Sequence, residues 1–336
     1  MELNIATLSD FTRNAEILFL KGLDSVQMAA RNSGMFKIDS IPDHQGNTKE
    51  YTEIDLEEYA TKKREGDQSA RAKVQQGYSK IGTLYRVSKD IGITYEMRHY
   101  NKYMEVVSRL SNLGKLVGNR MELDLSHRIT FCTATTYTDM DGDSVNIAVG
   151  DTLALASTAH TVKGSAVTFR NRLANNPVFS KGALEGMEQM IIENSINQFG
   201  EKVTTPAYDI IWSTEDPNTV NTIKEYLKST ANPDALNAGV VNVYQGKYKH
   251  VILPRVATTN VGAVDSTKAK YWGLASSSNS QAFLGINEEP RLKVSAPNGS
   301  AEEFSTEDFN YGAVGGYMIV IPGARWFAFS DGLGTS

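Results

Sequence analysis

The longest uninterrupted helical period in this 336-residue chain runs from Thr94 to Ile129, and it limits the folds open to everything around it. Apolar side chains recur at Met97, Tyr100, Met104, Val107, Leu110, Leu113, Val117, Met121 and Leu125, in steps of three and four that follow one stripe of a helix. The spacing predicts a buried core face that includes Tyr100, Met104, Val107, Leu110, Val117 and Met121. At about 1.5 Å per residue such a helix reaches roughly 54 Å, the length of a strut. Its other side carries Arg98, Lys102, Glu105, Arg109, Lys115 and Arg120, the composition of a solvated or partner-facing surface. Gly114 and Gly118 each cost about 1 kcal/mol of helix propensity relative to Ala. They predict a slight bend or the close approach of another backbone.

Ahead of the strut, residues 7 to 32 read as an amphipathic helix capped by Ser9 or Asp10 and ending near Gly34. Its apolar side chains, among them Phe11, Ala15, Leu18 and Phe19, exceed what a free arm could hide. From Met35 the period changes to two, broken by the turn cluster Pro42 to Asn47. Two long arms then enclose a polar tip, which predicts a two-stranded excursion from the body. A ribbon of that kind is marginal without a neighbour. The charged residues Lys62, Lys63, Arg64, Glu65, Asp67, Arg71 and Lys73 are expected to make salt-sensitive contacts with an adjacent subunit.

After the strut, Thr133 to Val149 alternates around Asp141-Gly142, a hairpin signal. Asp139, Asp141 and Asp143 invite a calcium reading, but an EF-hand loop needs Gly sixth and Glu twelfth. Gly142 is fourth and Gly150 twelfth, so a plain turn is expected. From Asp151 short mixed elements predict a second, α+β unit. It has helices at 181–199 and 216–229, the second capped by Thr214, and strands at 208–212, 240–244, 250–253 and 281–286. The loop from Ala257 to Lys270 is polar and expected to be mobile. Extended segments at 291–294, 311–314, 317–321 and 326–329, separated by Gly315-Gly316 and Pro322-Gly323, are too few to hold a core alone. They are expected to pair with the early strands, which makes the central unit an insertion.

Catalytic and metal motifs are missing. The sequence has no GxxxxGK[ST], GxSxG or HExxH, and its single cysteine, Cys132, lies among apolar and β-branched neighbours suited to a buried thiol. His160 lies near Ser157 and Thr158, with no evident orienting acid. Glu288-Glu289 and Glu302-Glu303 are adjacent pairs whose side chains diverge on a strand. No cofactor and no metal are expected, and the chain does not read as an enzyme. A net charge of −5 without blocks of like charge argues against a surface that grips nucleic acid. The N-terminus is no signal peptide, and no apolar run suffices to cross a bilayer, which predicts a soluble chain without membrane contact in a reducing cytoplasm.

The order of parts resembles the major capsid proteins of tailed bacteriophages, whose HK-ninety-seven-type fold is shared with encapsulins. The closest local likeness is GDTLALASTAH at Gly150 to His160, followed by Pro177 to Glu185. These look like the family's D-x-x-x-L-F-S-x-x-H … L-S-x-x-A-L-E lead into its axial domain, with Ala156 where Phe is common and Phe179 where Leu is common. The resemblance implies an α+β phage major capsid fold. Its parts would be an N-terminal arm over 1–34, an extended β-hairpin loop with its root over 35–95, and a peripheral domain with a long spine helix over 96–150. An inserted axial domain over 151–285 and return strands over 286–336 complete it. The loop near Ala257 to Lys270 would then lie at the capsomer axis.

The implied function is a structural subunit that self-assembles, as hexamers and pentamers, into an icosahedral shell enclosing packaged double-stranded DNA without sequence-specific contact. The implied location is the virion, after assembly in the host cytoplasm. Scaffolding, portal and decoration proteins are the implied partners, the scaffold as a separate protein because no prosegment precedes the arm. Some family members cross-link a loop Lys to an Asn, and although Lys62 and Lys63 lie on the loop, nothing else in the sequence matches a bonding site. The alternatives are an encapsulin-like cellular compartment and, in another class, a monomeric ligand-binding or hydrolytic protein.

Overall fold

The computed structural model describes residues 5–42, 46–55, 59–66, 68–69, 71, 75–94, 96–97, 103–197, 199–231, 241–294 and 309–334. Among these, the helices are α1 (Ile5–Asp24), α2 (Tyr103–Thr130), α3 (Lys181–Glu193) and α4 (Pro217–Lys228). Helix α1 stops well short of Gly34, and Ser9 and Asp10 lie inside it instead of capping it. Only a 3-10 turn, Arg31–Ser33, precedes Gly34, whose φ of 88° closes it. Caps set the later helices. Ser180 accepts from the Ala183 amide at the start of α3. Asp216, and not Thr214, caps α4 by accepting from the Thr219 amide, with Pro217 in the first turn.

Among the described residues the strands form two four-stranded sheets and three small ribbons. The first sheet has the order β1 (Lys37–Ser40), β12 (Phe283–Val294), β13 (Phe309–Val320), β4 (Tyr85–Ile93). Early and late chain therefore pair, as the sequence predicts. The late segments, however, run through their predicted breaks. Residues 283–294 are one strand with bulges, and Gly315-Gly316 sits inside β13 because a side chain at Gly315 would press on Val117 of α2. The second sheet has the order β10 (Lys249–Ile252), β9 (Ile210–Ser213), β11 (Trp272–Ala275), β14 (Phe327–Ser330), so the last strand crosses into the central unit. No strand forms at 241–244. Val241 makes an isolated bridge to Ala231, and a turn follows while the Asn242 side chain donates to the Tyr226 and Ser229 carbonyls. The ribbons are β2 (Thr48–Asp55) with β3 (Gln75–Thr83), β5 (Thr136–Thr138) with β6 (Ser144–Asn146), and β7 (His160–Thr161) with β8 (Thr168–Phe169).

Helix α2 belongs to two cores. Its N-terminal half packs Leu110, Leu113 and Val117 with Phe19 of α1 and Tyr311 of β13. Its C-terminal half sends Met121, Leu125 and Ile129 into a cluster with Trp212, Trp326, Phe327 and Ile319. A third core, Leu184, Met187, Ile223 and Trp272, lies where α3 and α4 cover the second sheet.

Candidate assembly surface

The excursion is built from β2 and β3, paired antiparallel from Thr48 opposite Thr83 to Asp55 opposite Gln75. Its root is anchored by Tyr51, which is buried, stacks on Phe283 at 4.4 Å and donates its hydroxyl to Asp39 at 2.6 Å. Lys49 pairs with the same carboxylate. Farther out the ribbon leans on the body through isolated polar contacts: Tyr78 with Thr161, Lys163 with the Gly77 carbonyl, and Tyr59 with the Lys202 carbonyl. At the tip, Lys62, Lys63, Arg64, Glu65 and Arg71 are exposed, and none makes an ion pair with another described residue. Asp67 and Lys73 lie outside the described residues. Ile81, on the ribbon itself, is 63% exposed.

The limb at the other end is not free. Helix α1 lies on α2, with Ala15 and Phe19 buried. The crossing is close enough that a side chain at Gly114 would meet the Phe19 carbonyl at 2.2 Å, and one at Gly22 the Ser111 carbonyl at 2.0 Å. Close approach, not a bend, thus accounts for Gly114.

Along α2, Leu110, Val117 and Met121 are buried and Val107 is half-buried, whereas Tyr100 lies outside the described residues. Met104 is 83% exposed, contrary to its predicted place on the core face. Nine residues separate it from Leu113, which is about two and a half helical turns, so successive steps of three carry it to the far side. The buried line runs through Val106 instead. The predicted solvated face also fails at Arg120. It donates to Asp124 at 3.0 Å, to Asp139 at 3.2 Å and to Asp141 at 2.7 Å. One guanidinium thereby holds the acidic turn that resembled a calcium loop, while Asp139 accepts from the Asp141 and Asp143 amides. No cluster of metal-ligating residues occurs among the described residues.

Sequence reasoning missed how polar the buried end of α2 is. Glu122 accepts from the Ala30 amide at 2.5 Å and from the Arg31 amide at 3.3 Å; burial raises its pKa against those bonds. Asp124 accepts from Tyr317 at 2.7 Å and from Tyr85 at 3.1 Å, and burial foremost pushes both phenols well above their usual range. The loop expected to be mobile is tied to this end. Thr130 donates to the Val256 carbonyl, the His127 ring meets the Thr259 carbonyl, and Arg255 grips Asn119. The density of charged and polar residues from Arg120 to Arg128 was the available signal.

His160 does have an orienting acid. Its Nδ1 meets Asp151 at 2.7 Å, but its Nε2 faces the Leu155 carbonyl at 3.2 Å, which leaves no nitrogen for Ser157 or Thr158. Asn171 also donates to that carbonyl, and its side-chain oxygen accepts the Ser157 amide. Asp151, Leu155, Ser157 and His160 thus form a clasp that folds residues 151–171 on themselves. Cys132 is fully buried, and burial raises its thiol pKa well above the usual range. Glu288 is bound by Arg86 and Arg291, and Glu289 by Arg31, so neither is a free carboxylate. Glu302 and Glu303 lie outside the described residues. No helix among the described residues is long and apolar enough to cross a membrane.

No protein-family model and no curated protein sequence matches the chain. Among solved structures, one from Gordonia phage Cozz superposes with a TM-score of 0.50 at 10% identity, covering 90% of this chain and 85% of that one. The capsid structure of cyanophage P-SCSP1u gives 0.49 at 9% identity, covering 90% and 86%, and a virus-like particle from Pyrococcus furiosus gives 0.48 at 10%, covering 95% and 98%. With one residue in ten identical, the Gordonia phage likeness bears on backbone arrangement alone. The α+β fold of this chain is shared with that phage structure, in keeping with the HK-ninety-seven-type capsid fold that its sequence resembles.

Proposed function

We propose that the chain is a structural shell subunit, not a catalyst, and that copies of it assemble as hexamers and pentamers into an icosahedral container for double-stranded DNA. The observation that carries this reading is the ribbon tip. Lys62, Lys63, Arg64 and Glu65 are held out in solvent with no ion pair to another described residue, on a ribbon fastened by a few polar contacts beyond Tyr51. A mixed-charge tip of this kind sets register against a neighbouring copy and gives weak contacts that symmetry multiplies. The fold shared with a phage structure is in keeping with it. The exposed apolar side chains Ile81, Ile17 and Met104 supply further surface for such contacts. The role places the protein in the virion after assembly in the host cytoplasm, with scaffolding and portal proteins as partners.

The test is the size of the purified protein by sizing chromatography and electron microscopy. Capsomers or closed particles are expected. A species of a single chain at every concentration and salt overturns the shell reading and favours a monomeric binding protein. Replacing Lys62, Lys63 and Arg64 together with Gln is expected to abolish particles while the far-UV spectrum and melting of the subunit stay unchanged. Nucleic acid extracted from native particles supports a genome container, whereas a folded enzyme inside them supports a cellular compartment.

A further inference from the structure

Arg128 lies in the last turn of α2 with only 7% of its surface exposed. Its Nε is buried without a partner, and among the described residues its guanidinium makes no hydrogen bond and no ion pair. A buried guanidinium is ordinarily held by an anion, because leaving water uncompensated is costly for a charge that cannot be neutralised. Its surroundings add to the deficit. Lys80, on β3 at the ribbon's root, is half-buried and donates to the Ala148 carbonyl. Burial, and then the charge of Arg128, bring its pKa down to about 8. Tyr137 on β5 is buried, with its ring stacked on Phe131 at 4.7 Å beside the end of α2, and among the described residues its hydroxyl has no hydrogen bond.

The other charged or titratable groups facing this point do not supply the missing charge. Asp124, one turn back, is taken up by Arg120, Tyr85 and Tyr317. His127 is turned to the Thr259 carbonyl.

We propose that Lys80, Arg128 and Tyr137 form an oxyanion-binding site at the root of the ribbon, filled by a carboxylate or phosphate group from outside the chain. Two cations and a phenol hydroxyl match the several acceptors of such a group. The source is an acidic side chain of a second copy or a dissolved phosphate. Only the first of these rests on the shell reading.

The experiment compares the full-length protein with Arg128→Met and Lys80→Met. In the first arm, dilute unassembled subunits are melted in rising inorganic phosphate against chloride at matched ionic strength. For a dissolved anion, the wild-type Tm climbs and saturates, and the midpoint of that response is about tenfold weaker in each variant. In phosphate-free buffer Arg128→Met melts no lower than wild type, since its loss removes an uncompensated charge; a merely structural arginine would lower it. In the second arm, particle yield is measured without phosphate. For a carboxylate from a second copy, Tm ignores phosphate but both variants lose particles. If Arg128→Met does not fold, Lys80→Met and Tyr137→Phe carry the same comparison. A wild type whose melting does not respond to phosphate, together with variants that assemble as it does, overturns the site. So does a protein that neither responds to phosphate nor assembles. The phosphate arm is independent of assembly, so its result is separate from that of the proposed function.

Discussion

Individual side chains show how burial changes chemistry in this fold. The His127 ring donates Nε2–H to the Thr259 carbonyl at 3.1 Å and leaves Nδ1 buried and bare. Burial above all, assisted by the charges of Lys268, Arg120 and Arg128, lowers its pKa to about 4. The unfolded chain takes up that proton near 6.5 and the folded chain only near 4, so between these values the unfolded state binds more protons and stability falls as pH drops. The loss reaches up to about 1.4 kcal/mol per pH unit for this one group. His250, lowered to about 4 by burial and by Lys224, acts in the same direction. Urea midpoints measured from pH 7 to pH 4 should fall, and His127→Gln should flatten the decline; an unchanged slope would show that His127 is not the titrating group. Arg120 gives a second residue-scale expectation. Removing it as Arg120→Met leaves Asp124, 4% exposed, without its cation and should cost about 3 kcal/mol in urea unfolding. An alternating or helical pattern records polarity along the chain but not the neighbour a polar group finds. The pattern therefore predicts a solvated or partner-facing Arg120, although three carboxylates enclose it.

Between elements, the contact of α1 with α2 depends on the absence of side chains. In an isolated helix, Gly114→Ala should be stabilising by about 1 kcal/mol. Here the added carbon would sit 2.2 Å from the Phe19 carbonyl, so the same change should lower stability by about 1–3 kcal/mol as the helices are forced apart. Gly182, in the first turn of α3, has nothing within 4 Å of that position, and Gly182→Ala should raise stability by about 0.5–1 kcal/mol. Chemical denaturation of both variants checks the pair, and equal signs would refute the close crossing. The two glycines of α2 were visible in the sequence, and so was their double meaning. Choosing between a bend and a close approach required knowing that α1 returns across this point. Similarly, Gly315-Gly316 predicts a break because glycine is rare inside strands, yet β13 runs through it and needs a small residue at Gly315, where it passes Val117 of α2.

At the scale of the whole molecule, the contact role proposed for the exposed cations of the ribbon tip makes assembly an electrostatic event. Particle yield should fall as salt is raised past about 0.15 M, where charges farther apart than roughly 8 Å are screened. The variant with Lys62, Lys63 and Arg64 replaced by Gln should behave at low salt as wild type does at high salt, a comparison read by light scattering. Salt-independent assembly would assign the contact to apolar surface such as Ile81 instead. The sequence by itself determined the α+β class, the strut, the acidic hairpin, the ribbon and the two helices that follow Asp151, because periodicity, caps and turn residues act over a few neighbouring positions. Only the tertiary structure decided that α1 rests on α2, that Met104 faces outward, that β14 joins the sheet of the central unit, and that Arg128 is buried without a counter-ion. Each of those outcomes depends on groups far apart in the chain, whose meeting no local pattern encodes.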